Sequence, residues 1–188
     1  MKDRLDGAQW LMVCGSLPPG VPSSFYAKLI AMARQRKVKT LLHADGAALR
    51  EGIEACPTLV TPNQQEAERL LGRTILTRTH GLEAAELIRR MGPESVVLSL
   101  GSRGAIGAFE EGLIEAIPPR VDAVCPIGAG DALSAVYTWS MSRKNNPAEA
   151  LRWGVAAGTA SARLPGMSFA SLEQTREVYR QVEVRRAE

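Results

Sequence analysis

In the run PIGAGDALSA (residues 126–135) a single carboxylate, Asp131, stands behind two glycines where a good helix-forming stretch begins. Acidic residues favour the first turn of a helix because they complement the positive end of its dipole, and that alone accounts for Asp131. The same residues also suit phosphoryl chemistry. Gly128, Ala129 and Gly130 keep side chains away from the unsatisfied N–H groups of a helix start, and such groups bind anions. Donors so placed stabilise charge on the equatorial oxygens of a moving phosphoryl group, while a neighbouring carboxylate takes the proton of an alcohol acceptor.

Two further segments carry paired readings of this kind. In TPNQQEAERL (61–70) Pro62 directs the chain out of an apolar run, Asn63 begins a helix, and Glu66 shares its face. Structurally this is an Asn-headed capping box. Chemically, Asn63 would bind a phosphate or its water shell, and Glu66 would hold a hydrated Mg²⁺ through water. In SLGSRGAIGA (99–108) Gly101 and Gly104 bracket a turn where backbone can approach a ligand, with Ser102 and Arg103 facing solvent or phosphate. Neither a Walker A motif nor the dinucleotide fingerprint G-x-G-x-x-G occurs in the chain.

The elements that must position these residues alternate. WLMV (10–13), VKTLL (38–42), TLV (58–60) and VVLSL (96–100) read as strands. Helices are expected after Ser23 or Ser24, at 46–54, from Asn63 to a stop at Gly72, and at 80–91. AIGAF and LIEAI flank Glu110-Glu111-Gly112 as a hairpin with a three-residue loop. Helices at 129–143, 147–162 and 171–182 finish the chain, the middle one carrying Leu151, Val155, Gly158 and Ala162 on one face. The alternation implies parallel strands joined by right-handed crossovers in an α/β layered fold. Ligands in such sheets bind beyond the carboxyl ends of the strands, which directs attention to GSLPPG, HADG, TPNQQE and GSRG.

Composition narrows the function classes. The 188 residues suit one domain, 1–188, with 45% hydrophobic and 23% charged residues. Basic residues number 23 against 20 acidic ones, for a net charge of +3, and Phe, Tyr and Trp occur three times each. No basic block with interleaved aromatics is present, which argues against nucleic-acid binding. Cys14, Cys56 and Cys125 form no C-x-x-C pair, and His43 and His80 stand apart. Neither a disulfide framework nor a histidine metal site follows, and a reduced cytoplasmic setting is expected. WLMV is too short to span a membrane.

Taken jointly, GSLPPGVP, TPNQQEAERLLGR, VVLSLGSRGAIGA, PIGAGDALSA and WGVAAGTASA resemble the ribokinase-like carbohydrate kinases of the PfkB family, in its hexose-phosphate branch. The similarity runs from about Trp10 to Ala162. It implies a three-layer α/β/α fold with a mostly parallel central sheet, and transfer of the ATP γ-phosphoryl group to a hydroxyl of a sugar or sugar phosphate. By resemblance Asp131 is the catalytic base, and Gly128, Ala129 and Gly130 are the anion hole. Asn63 and Glu66 match the N-x-x-E residues that organise phosphate and Mg²⁺. Ser99, Leu100, Gly101, Ser102, Arg103 and Gly104 match the nucleotide loop, with Gly130 also beside ATP and Val155 and Thr159 beside the adenine. Some family members use a monovalent cation near the GAGD loop.

Departures from the family pattern set a second expectation. Family chains carry a substantial portion before the segment equivalent to WLMVCGSLPPG, which supplies the first strands, sugar-binding residues and a small β lid. Thr61 stands where a lysine is common, Cys14 replaces a serine, and His43 occupies a usual aspartate position. Pro126 and Ile127 replace more polar residues. The alternative function is therefore a truncated, non-catalytic remnant that binds nucleotide without phosphotransfer. Loss of the first strands also predicts an exposed sheet edge and a homo-oligomer.

Overall fold

Four short apolar runs become a parallel sheet because each is bounded by breakers and followed by an amphipathic helix. The computed structural model describes residues 5–143 and 146–187. Its chain divides into two compact units, Met1–Leu98 with Ala108–Glu111, and Ser99–Gly107 with Gly112–Glu188.

The first unit runs β1 (Trp10–Cys14), α1 (Phe25–Arg34), β2 (Lys39–His43), α2 (Gly46–Glu54), β3 (Leu59–Val60), α3 (Gln64–Leu71), α4 (Arg78–Arg90) and β4 (Ser95–Ser99). The strands pair in parallel and in chain order, with Met12 opposite Leu41, Leu41 opposite Leu59, and Leu59 opposite Ser95. Ile30, Leu42, Leu49, Ile53, Ile88 and Leu98 form its buried centre. Helix starts follow their capping residues: Asp45, Asn63 and Thr77 each accept a backbone N–H of the first turn. At α1 the expected cap differs. Ser24 holds the N-cap position without a side-chain bond, and the hydroxyl of Ser23 donates instead to Glu51 of α2. Gly72, in left-handed conformation with φ 67°, ends α3 as predicted.

After β5 (Ala105–Phe109) the second unit continues with β6 (Gly112–Ile117), α5 (Ala129–Ser142), α6 (Pro147–Ala162), α7 (Leu172–Tyr179) and β7 (Glu183–Arg186). The turn between β5 and β6 holds two residues, Glu110 and Glu111, one fewer than expected, because Gly112 already opens the strand. The last helix is also shorter than its sequence suggests. It stops at Tyr179, and β7 pairs antiparallel with β6, Ile117 opposite Glu183 and Ile114 opposite Arg186. Alternation in Val182-Glu183-Val184-Arg185 favours a strand once a partner edge exists, and Arg185 Nε meets Glu115 Oε2 at 3.4 Å. Among the described residues, no helix is long and apolar enough to cross a membrane.

Helices α5 and α6 pack closely because α6 lacks side chains where it crosses α5. A Cβ at Gly154 would lie 2.9 Å from Leu133 O, and one at Gly158 would lie 2.8 Å from Ala129 O. These glycines set the backbone of α6 directly against the first turns of α5, where Asp131 sits.

Candidate active site

The tip of α5 is built by a left-handed glycine. Gly128 holds the N-cap with φ 83° and offers no side-chain cap, and Ala132 N–H makes the first intrahelical bond to Gly128 O at 2.9 Å. The amides of Gly130 and Asp131 precede that bond and so belong to the donors a helix leaves without an internal partner. Ala129 differs from its predicted part. Its N–H donates to Pro126 O at 3.1 Å, so its amide shapes the turn rather than the cradle. Asp131 is exposed, in the first turn, beside those donors.

A cleft of about 650 Å³ opens within the second unit next to this tip. Ala129, Gly130 and Leu133 of α5 line one side, and Val155, Gly158, Thr159 and Ala162 of α6 another. The glycine turn contributes Ser99, Gly101, Ser102 and Gly104. A 3₁₀ turn, Gly101–Arg103, shapes it, with Gly104 N–H donating to Gly101 O at 3.0 Å and Leu100 N–H to Gly104 O at 2.8 Å. Gly104 is fixed by space as well as conformation. At φ 92°, an added Cβ would overlap Ala116 O of β6 and press on Pro118 Cδ. Polar backbone, apolar walls and a few hydroxyls therefore meet at one helix start, a lining suited to a nucleotide with its phosphates at the α5 tip.

Of the residues anticipated for this site, Ser99, Gly101, Ser102, Gly104, Ala129, Gly130, Val155 and Thr159 line the cleft. Leu100 is buried, and Leu100, Arg103, Gly128 and Asp131 are not among the residues lining the cleft, Asp131 lying exposed next to Gly130, which does line it. Asn63 and Glu66 lie in the first unit, where they form a reciprocal capping box. Glu66 N–H donates to Asn63 Oδ1 at 2.9 Å, and Asn63 N–H to Glu66 Oε2 at 2.8 Å. Thus the structural reading of this pair holds in the molecule as it stands, with Glu66 buried. Sequence reasoning overlooked the segment Pro118–Ala123, which also lines the cleft. Its signal was available: Pro118-Pro119 leaves a strand and no helical period follows.

No group of three or more His, Cys, Asp or Glu forms a metal centre among the described residues. Mg²⁺ ordinarily arrives on nucleotide phosphates and keeps much of its water, so a single supporting carboxylate fits its chemistry.

A family model for pfkB family carbohydrate kinases matches residues 1–175. The chain belongs to this family. Among curated members, the ATP-dependent 6-phosphofructokinase isozyme 2 of Escherichia coli is 33% identical over 178 residues, which are 94% of this chain and 58% of that protein. The 1-phosphofructokinase of Vibrio cholerae is 29% identical over 175 residues, 93% of this chain and 55% of that protein. The crystal structure of E. coli phosphofructokinase-2 in complex with potassium superposes with a TM-score of 0.88 at 30% identity, covering 95% of this chain and 60% of that one. The ribokinase-like α/β fold is thereby shown. This pfkB chain spans a little over half the length of these relatives.

Proposed function

We propose that the chain supplies the ATP site and the catalytic base of a carbohydrate kinase that phosphorylates a sugar or sugar phosphate. The observation that carries this reading is the cleft itself. It collects the glycine turn at 99–104, the open first turn of α5, and Val155 with Thr159 of α6 in one unit. In this reading the adenine lies against Val155 and Thr159, and the phosphates lie along Ser99–Gly104 toward Gly130.

The acceptor hydroxyl gives its proton to Asp131 while its oxygen forms a bond to the γ-phosphorus. The bond from that phosphorus to the β,γ-bridging oxygen breaks, and ADP leaves with the bridging oxygen. Backbone N–H groups at Gly130 and Asp131 hold the charge that spreads over the equatorial oxygens. Glu66 of the first unit would hold a hydrated Mg²⁺ through water, and the ion would supply charge that offsets that of phosphates. A ketohexose phosphate is the favoured acceptor class, since the relatives named above are phosphofructokinases.

A second reading is nucleotide binding without transfer. It is favoured by His43 and Thr61, which stand where an aspartate and a lysine are usual in the family and whose side chains engage each other at 3.1 Å. Calorimetric titration with ATP–Mg²⁺, followed by assays on fructose 1-phosphate, fructose 6-phosphate and tagatose 6-phosphate, divides the two. Turnover of any of them supports the kinase, binding without turnover supports the second reading, and no nucleotide binding defeats both.

A further inference from the structure

Gly128 sets the left-handed turn into α5, yet nothing in the residue itself holds that turn. With no Cβ, glycine enters a φ of 83° freely and leaves it as freely. Two hydrogen bonds grip it from the adjoining chain, Ala129 N–H to Pro126 O at 3.1 Å and Ala132 N–H to Gly128 O at 2.9 Å. The bare face of Gly128 is closed by a residue far along the sequence. A Cβ at position 128 would lie 3.4 Å from Cε1 and 3.6 Å from Cζ of Phe169. Apart from its chain neighbours and α5 itself, no other atom among the described residues comes within 4 Å of that point.

The end of α6 delivers both partners. Ala162 O accepts from Val124 N–H at 2.8 Å and from Cys125 N–H at 3.0 Å, which fixes the segment entering α5. The buried Ser161 Oγ accepts from Ala170 N–H at 3.1 Å, which fixes the residue after Phe169. Two adjacent residues of one helix thus bring ring and glycine together within the second unit. Phe169 remains 60% exposed and does not line the cleft, so its ring is neither core nor cleft wall.

On the reading of the α5 tip as the phosphate site, we propose that Phe169 is a positioning residue for phosphoryl transfer. Its ring restricts Gly128 to the left-handed turn, and the turn aims the free amides of Gly130 and Asp131 at the phosphates. Donors that must be ordered on binding cost affinity, whereas donors already held do not. Without the ring the turn samples other backbone conformations, while the adenine end of the cleft, at Val155 and Thr159, is left as it was.

Amide exchange followed by NMR compares the parent with Phe169→Ala, Phe169→Leu and Met167→Ala, the last an exposed apolar residue of the same segment. In Phe169→Ala the Ala129 and Ala132 amides should exchange about five- to tenfold faster, while Gly104 N–H in the glycine turn keeps its rate. The largely exposed ring leaves Tm nearly unchanged. Calorimetry should show ATP–Mg²⁺ binding weakened about three- to tenfold and adenosine binding within about 1.5-fold of the parent, since only phosphate meets the tip. Phe169→Leu, which keeps an apolar group over Gly128, should recover most of both effects, and Met167→Ala should show neither. Unchanged exchange at Ala129 and Ala132 in Phe169→Ala, equal losses for ATP and adenosine, or the same behaviour in Met167→Ala overturns the proposal. A parent that binds neither ATP nor adenosine defeats the reading of the cleft instead, and exchange then decides alone whether Phe169 holds the turn.

Discussion

Asp131 owes its place to two constraints that act within a few residues of it. Gly128 turns the chain into α5 at a φ that other residues adopt at a cost, and the helix then exposes its first N–H groups beside the carboxylate. On the proposed mechanism, Asp131→Asn keeps the shape of the tip and removes the base. Transfer is expected to fall about 10²- to 10⁴-fold, with ATP affinity unchanged by calorimetry. A variant that turned over sugar phosphate as fast as the parent would assign the base elsewhere. The residue scale was also where sequence was most legible. Asn63 was readable as a cap and as a ligand, and its reciprocal bonds with Glu66 show the cap. Ala129 was not readable, because the turn bond to Pro126 that occupies its amide depends on loop geometry and on no residue type.

At the scale of elements, the crossing of α5 and α6 decides how the tip is held. Gly158→Ala would drive a methyl against the carbonyl of Ala129, and backbone cannot rotate away as a side chain can. The expected cost is about 1–3 kcal/mol, seen as a lower Tm, together with weaker ATP binding as the first turn of α5 shifts. Helix α7 is pinned by aromatic stacking. Trp153 stacks on Tyr179 at 4.3 Å and meets Trp139 edge-on at 5.8 Å, while Arg152 lies over the Tyr179 ring. Burial, then the hydrogen bond that Tyr179 Oη donates to Glu149 Oε1 at 2.6 Å, raises the Tyr179 pKa above its ordinary 10.0. Because the folded state holds that proton more tightly, this contribution to stability is complete below pH 10 and disappears as pH rises through the folded value. Unfolding midpoints measured from pH 8 upward should therefore fall more steeply for the parent than for Tyr179→Phe, which has no proton to lose there.

For the whole molecule the testable property is assembly. Among the described residues β1 pairs with β2 at the end of the order β1-β2-β3-β4, and Met12 is partly exposed on it. An edge strand with apolar side chains is a template for a second copy. Sedimentation velocity is expected to show a dimer or larger species, reduced toward monomer by Met12→Lys. A monomeric parent at micromolar concentration would refute the expectation.

What the sequence determined by itself is whatever neighbours along the chain enforce: the alternation of strands and helices, the caps at Asp45, Asn63 and Thr77, the stop at Gly72, and the glycines that bare the start of α5. Those features follow from backbone preferences and periodicities that reach no farther than a turn or two. Only the tertiary structure decided that α7 stops at Tyr179 so that β7 can pair with β6, that Gly154 and Gly158 face the carbonyls of α5, and that Pro118–Ala123 lines the cleft. Each depends on a partner distant in the chain, and a strand edge or a packing distance comes into being only once that partner arrives.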